Sequence, residues 1–170
     1  TATGNTEGDI KSSGIRLLSD NTDSSIINLN EITATATATA NIRNPNEVDA
    51  EANGIAVDGT SSDVSITNSG LITAIATAAG VSSSASADAA GIITQSIYEG
   101  ASIINTGTII TNANVTITEA FEASADANGV IIDGYSQGVS VTNSGNIIAT
   151  ASATAIAPVT VSAFSSVDAD

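Results

Sequence analysis

A repeat of about 38 residues recurs four times along the chain and limits its possible folds more than any other feature. Each copy begins with a glycine followed by an aliphatic residue, has an asparagine fourteen residues later, and has an isoleucine four residues beyond that. The three columns are Gly14, Gly54, Gly91, Gly129; Asn28, Asn68, Asn105, Asn143; and Ile32, Ile72, Ile109, Ile147. Columns that align in every copy, without helical periodicity, predict an all-β fold, a parallel β-solenoid whose coils stack identical residues.

The stretch ITATATATA at residues 32–40 alternates with a period of two. This alternation predicts a long strand with Ile and Ala turned inward and the threonines turned outward. In the later copies the outward positions include Ile75, Ala79 and Asn112. The threonine array is therefore too irregular to favour ice binding. For the repeated columns we prefer a structural role in the stacking of coils.

The predicted solenoid comprises residues 14–53, 54–90, 91–128 and 129–170, with one coil in each repeat. Two coils of about 19 residues remain an alternative, although the two halves of a repeat do not resemble each other. Residues 1–13 precede the first full repeat and are interpreted as an N-terminal arm. This arm is either disordered or a strand that pairs with a neighbouring subunit.

Composition excludes several classes of function. The net charge is −15 with only three basic residues, so nucleic acid and anionic membrane surfaces are poor partners. No run approaches the ~20 apolar residues of a membrane-spanning helix, so no membrane insertion is expected. Because the chain has no His and no Cys, an acid–base pair, a disulfide or a thiolate metal site is hard to assemble. We therefore predict a protein that is not an enzyme.

An acidic residue recurs shortly before the glycine that opens the next repeat. This acid column is Glu51, Asp88, Asp126 and Asp168. Carboxylates on neighbouring coils repel each other unless they splay into water or share Ca²⁺. Solvation is the preferred interpretation, Ca²⁺ at these four residues is the alternative, and no other cofactor is expected.

Basic residues are confined to the first 43 residues, where Lys11 occupies the slot that is acidic in later copies. No capping segment is evident at either terminus, so the predicted assembly is a head-to-tail homopolymer. At its junction we expect Lys11 near Asp168 of the neighbouring subunit, with Asp170 also at this end. A solvated lysine is the alternative.

Two segments carry a resemblance to known proteins: Gly54-Ile55 with Ser65–Gly70 and Ile72, and Ser140–Gly145 with Ile147. Their pattern resembles the repeats of bacterial surface β-helix proteins, namely autotransporter passengers and filamentous-haemagglutinin-like adhesins. The resemblance implies a right-handed parallel β-helix, export to the cell surface, and a stalk or adhesive role. The chain is then either an excerpt of a longer protein or a short relative.

The predicted function is a structural subunit of an extracellular, self-assembling filament. The first alternative is a stalk segment of a larger adhesin that binds a surface or a glycan. A glycan-active β-helix enzyme comes third, because basic residues at only three positions leave few candidates for a catalytic base.

Overall fold

The computed structural model describes residues 1–4, 8–18, 20–40, 47–82, 84–95, 97–119, 122–134, 137–156 and 164–169. These residues form strands joined by turns and bends, and every strand pairing is parallel. Four sheets run along the molecule, and we call them sheets A to D. The parallel pairing of every sheet confirms the predicted β-solenoid.

Sheets A and B contain the long strands. Sheet A consists of β1 (Ala2–Gly4), β5 (Glu31–Ala40), β9 (Leu71–Val81), β13 (Thr108–Thr118) and β16 (Asn146–Ile156). Sheet B consists of β2 (Gly8–Leu17), β6 (Val48–Val57), β10 (Ser84–Gln95), β14 (Glu122–Asp133) and β17 (Phe164–Ala169). Within each sheet the strands are stacked in chain order.

Sheets C and D contain the short strands. Sheet C consists of β3 (Asn21–Thr22), β7 (Ser61–Ser62) and β11 (Ile97–Glu99). Sheet D consists of β4 (Ser25–Asn28), β8 (Ser65–Asn68), β12 (Ser102–Asn105) and β15 (Ser140–Asn143). The chain visits sheets B, C, D and A in turn and then returns to sheet B. Each repeat therefore makes one wide coil rather than two narrow ones.

The core has an alanine section and an isoleucine section. Between sheets A and B, buried alanines from both sheets contact each other, with Val48, Val115 and Ile117 among them. Next to sheet D, the core consists of isoleucines and valines, including Ile66, Ile72 and Ile103. The alternation in residues 32–40 follows from this arrangement, because Ala34, Ala36 and Ala38 are fully buried on the inner side of sheet A.

The glycine column and the isoleucine column pack against each other. A methyl group added at Gly54 would overlap the Cγ2 atom of Ile72, and the same holds for the pairs Gly14–Ile32, Gly91–Ile109 and Gly129–Ile147. The isoleucine of each coil thus fills the space that a side chain at the glycine would need. This packing explains why both columns recur at the same spacing.

The structure also explains why Asn30 replaces glycine in the first copy. In later copies Gly70, Gly107 and Gly145 lie against the carbonyl oxygen of the equivalent residue one coil earlier, where a Cβ atom would clash. Asn30 lies in the first coil, in the bend between β4 and β5, and β4 is the edge strand of sheet D. A side chain is therefore tolerated at this position.

Residues 1–13 do not form the separate arm predicted for them. In β1, Ala2 pairs with Ala36 and Gly4 with Ala38, and residues 8–13 form the first part of β2, paired with β6 of the same chain. Residues 5–7 lie outside the described part. The boundary was misplaced because the glycine column was taken as the start of each repeat, whereas Gly14 lies within β2.

Candidate functional site

The predicted acid column forms a continuous line across sheet B. In register, Lys11 pairs with Glu51, Glu51 with Asp88, Asp88 with Asp126, and Asp126 with Asp168. Neighbouring strands are about 4.8 Å apart, so each carboxylate has a like charge one coil away. Lys11 and Asp168 occupy the two ends of this line.

Lys11 has a partner within its own chain. Its Nζ donates a hydrogen bond to Oε2 of Glu51 at 2.5 Å, which raises the pKa of Lys11. Burial alone would raise the pKa of Glu51. The hydrogen bond from Lys11 and a second one from Nδ2 of Asn53 at 2.7 Å have a larger, opposite effect, so the pKa of Glu51 is lowered. Nζ of Lys11 also lies 3.9 Å from Oδ2 of Asp9. A lysine ammonium has three donors, so Lys11 retains capacity for a further carboxylate.

Asp88 and Asp126 line a groove of about 290 Å³ on sheet B, together with Glu51. Partial burial raises the pKa of Asp88. The hydrogen bond from Oγ of Ser86 at 3.1 Å acts to lower this pKa, whereas the negative charges of Asp126 and Glu51 raise it further. Like-charge repulsion is thus present in the middle of the column. A bound cation would relieve it, and Ca²⁺ at this column stays a prediction.

A second carboxylate pair, Asp9 and Asp49, was missed by the sequence reasoning. The two residues are register partners in β2 and β6, and they line a cavity of about 150 Å³ with Glu47, Glu51 and Asp88. Burial, followed by the nearby charge of Glu47 and the contact with Asp9, raises the pKa of Asp49 to about 6. The signal was present in the sequence, because Asp9 and Asp49 lie two residues before Lys11 and Glu51, on the same strand face.

Replacement of Asp49 by asparagine is expected to change how stability depends on pH. Because the folded pKa of about 6 exceeds the ordinary value of 3.8, the folded chain binds more protons between these values, and stability falls as pH rises through this window. Asp49→Asn should raise the free energy of unfolding by about 1 kcal/mol at pH 7.5, with little change at pH 4, since the carboxyl is only partly buried. Urea denaturation across this range measures the effect. Asp23→Asn, at an exposed turn, is the control, and an equal response of both variants would contradict the assignment.

The asparagine column forms a directional hydrogen-bond ladder inside the coils. Nδ2 of Asn28, Asn68 and Asn105 each donates to Oδ1 of the next asparagine at 2.7 Å, across separations of 40, 37 and 38 residues. At one end, Oδ1 of Asn28 accepts the backbone N–H of Asn30 at 3.2 Å. At the other end, the ladder finishes at Oδ1 of Asn143, which accepts the hydrogen bond from Asn105.

The two ends of the solenoid differ in how well their core residues are covered. In the last coil, Val141 is 47% exposed and Ile147 is 37% exposed, whereas their register equivalents Ile66 and Ile72 are fully buried. In the first coil, Ile26 is buried and Ile32 is partly buried. The last coil thus presents an uncovered apolar surface beside β15 and β16. Asp168 lies at this end on β17, and Asp170 lies outside the described residues.

Among the residues described, no group of three or more His, Cys, Asp or Glu is arranged to hold a metal ion. The same part of the chain contains no helix that could cross a membrane. Comparison with models of protein families, with curated proteins and with solved structures finds no match to this chain.

Proposed function

We propose that the chain is a structural subunit of an extracellular filament, in which copies stack head to tail. The uncovered end of the last coil carries this proposal, because the inward residues Ala151 and Ala153 of the edge strand β16 are only partly buried, whereas their register partners Ala113 and Val115 are fully buried. Exposed core residues beside unpaired parallel strand edges favour the addition of another coil. The acid column and the asparagine ladder are then parts of a stacking scaffold rather than of a catalytic site.

The end strands of sheets A and B fit a second copy at this end. Sheet A ends in the short β1 on one side and the full-length β16 on the other, whereas sheet B ends in β2 on one side and the short β17 on the other. A following copy in the same orientation places its β1 beside β16 and its β2 beside β17. All new pairs are parallel, as within the chain. β1 and β17 then belong to one shared coil, in which the described residues supply strands to sheets A and B but none to sheets C and D.

Charge favours the same polarity. The first 43 residues contain three bases and five acids, whereas the rest contains thirteen acids and no base, giving balances of −2 and −13. Continuation of the acid column across the junction places Lys11 of one copy next to Asp168 of the preceding copy. Lys11 then lies between two carboxylates, Glu51 and Asp168. A lysine at one end and a carboxylate at the other favour head-to-tail contact over contact between like ends.

A stalk segment of a larger adhesin is the second candidate. The columns persist into the last coil, where Asn143, Gly145 and Ile147 keep their register. Further repeats of the same polypeptide would also cover the exposed end, including β15 of sheet D. The two candidates differ in whether the 170-residue chain polymerises by itself.

Negative-stain electron microscopy of the purified chain tests the filament. We expect unbranched fibres, and we expect Lys11→Glu to raise the critical concentration about 10-fold, because it places two acids in contact at every junction. Arg16→Glu is the matched control, with the same change of net charge in the same coil but outside the acid column. Thermal melting monitors the folded state of both variants.

Two outcomes would count against the proposal. Discrete particles at every concentration of the wild-type chain would exclude the filament and favour the stalk. Fibres that form equally well with Lys11→Glu and Arg16→Glu would exclude the junction between Lys11 and Asp168.

A further inference from the structure

We propose that the outward face of sheet A is a self-association surface through which two solenoids pair side by side, independently of end-to-end stacking. We call this surface the neutral face and define it as the outward residues of β5, β9, β13 and β16. Its central column consists of Thr37, Thr77, Asn114 and Ser152, which are consecutive register partners. In the proposed pair, the neutral face of one copy packs against the neutral face of a second copy.

The neutral face lacks charge in a strongly acidic protein. Strands β9, β13 and β16 contain no Asp, Glu, Lys or Arg, and β5 contains only Glu31, at its first residue. Sheet B, in contrast, carries Asp9, Lys11, Asp49 and the acid column. A net charge of −15 opposes contact between copies, and the neutral face is the long side on which this opposition is weakest.

The side chains of the neutral face are suited to burial. Threonine and isoleucine predominate, and Ile148 and Ile156 are 50% and 54% exposed. β-Branched side chains have few rotamers, so a contact between them costs little side-chain entropy. Threonine hydroxyls can hydrogen-bond across the interface while their methyl groups pack, as on the inner faces of sandwiches in which two sheets lie about 10 Å apart.

The size of the neutral face matches that of a stable interface. Ten-residue strands span about 33 Å, and four strands at about 4.8 Å give a width of about 19 Å. Each copy thus offers about 600 Å², or about 1,200 Å² per pair, which is the lower limit for specific complexes. Face-to-face pairing leaves the two acid columns about 30 Å apart, several times the Debye length of about 8 Å at physiological salt. Their repulsion is therefore screened.

Crosslinking of single-cysteine variants tests this pairing directly, because the chain contains no cysteine of its own. We expect a short bis-maleimide to yield covalent dimers from at least one of Thr37→Cys, Thr77→Cys and Asn114→Cys. In a pair related by a two-fold axis, only residues near the axis lie close to their own copies, and the three positions are tested because they lie on three different strands. Thr67→Cys is the matched control, since Thr67 lies on β8 of sheet D in the same coil as Thr77. End-to-end stacking separates identical residues by at least four coils, about 19 Å, and so does not produce this crosslink.

Sedimentation velocity provides the second readout. Thr77→Lys, which buries an ammonium group at the centre of the pair, should weaken dimerisation at least 10-fold, whereas Thr67→Lys should leave it unchanged. Absence of crosslinks from all three cysteine variants, together with a mass that does not respond to Thr77→Lys, would overturn the proposal. A monomeric wild-type chain that depresses the freezing point of water below its melting point, with loss of this effect in Thr77→Lys, would also overturn the pairing proposal. The neutral face would then be an ice-binding surface.

Discussion

Replacement of Gly91 by alanine is expected to lower the free energy of unfolding by about 3 kcal/mol. Gly91 is buried in β10, where a Cβ atom would overlap Cγ2 of Ile109 and lie 2.6 Å from the carbonyl oxygen of Gly129. The carbonyl belongs to the next coil, so relief of the clash requires two hydrogen-bonded strands to separate. Rigid neighbours of this kind make overpacking more costly than in a core of flexible side chains.

Chemical denaturation followed by circular dichroism measures this effect. Gln95→Ala, at the exposed end of the same strand, is the control and should change stability little. The double variant Gly91→Ala/Ile109→Ala removes one of the two clashing groups, so its loss of stability should be smaller than the sum of the two single losses. Strict additivity would contradict direct packing between the glycine and isoleucine columns.

Replacement of Asn105 by leucine is expected to destabilise the fold by about 2 kcal/mol. Asn105 accepts the amide of Asn68 and donates to Oδ1 of Asn143, both at 2.7 Å. Its loss leaves Nδ2 of Asn68, a fully buried residue, with only a 3.5 Å contact to the carbonyl of Thr108. A buried polar group without a partner costs about 1–3 kcal/mol, and Nδ2 of Asn68 becomes such a group, whereas the other partner, Asn143, is exposed to water.

Asn146→Leu provides the comparison for Asn105→Leu. Asn146 is exposed at the start of β16, and its column already contains Leu71, so leucine is compatible with that position. Equal melting temperatures for the two variants would show that the ladder contributes no more than an exposed amide. Exchange of the backbone amide protons of β12 should also accelerate in Asn105→Leu, because the ladder fixes the position of this strand between β8 and β15.

The repeat predicted contacts accurately where it applied strictly. Residues at equivalent positions become neighbours in a parallel, in-register stack, so Asn28 meets Asn68 and Glu51 meets Asp88 although about 40 residues separate them. The inward position of Ala34 followed from strand alternation alone. Columns could thus be assigned from the sequence without knowledge of the shape of the coil.

Prediction was less successful where contacts depend on the closed path of the coil or on the ends of the stack. The prediction of a separate N-terminal arm was wrong because strand β2 continues through Gly14. The pairing of Lys11 with Glu51 followed from the column but was overlooked in favour of a contact between subunits. The raised pKa of Asp49 depends on how deeply the carboxyl is buried, which spacing does not report.

The sequence by itself determined the fold class, the stacking register and the residues that share each column, because a strict repeat leaves one alignment in which asparagine, glycine and isoleucine all recur. Tertiary structure decided that one repeat closes one coil, that each glycine makes room for an isoleucine on another sheet, and that the last coil exposes its core. The division has a physical reason. Register is a relation between equivalent positions, whereas coil closure, cross-coil packing and end exposure depend on distances between positions that the repeat does not relate.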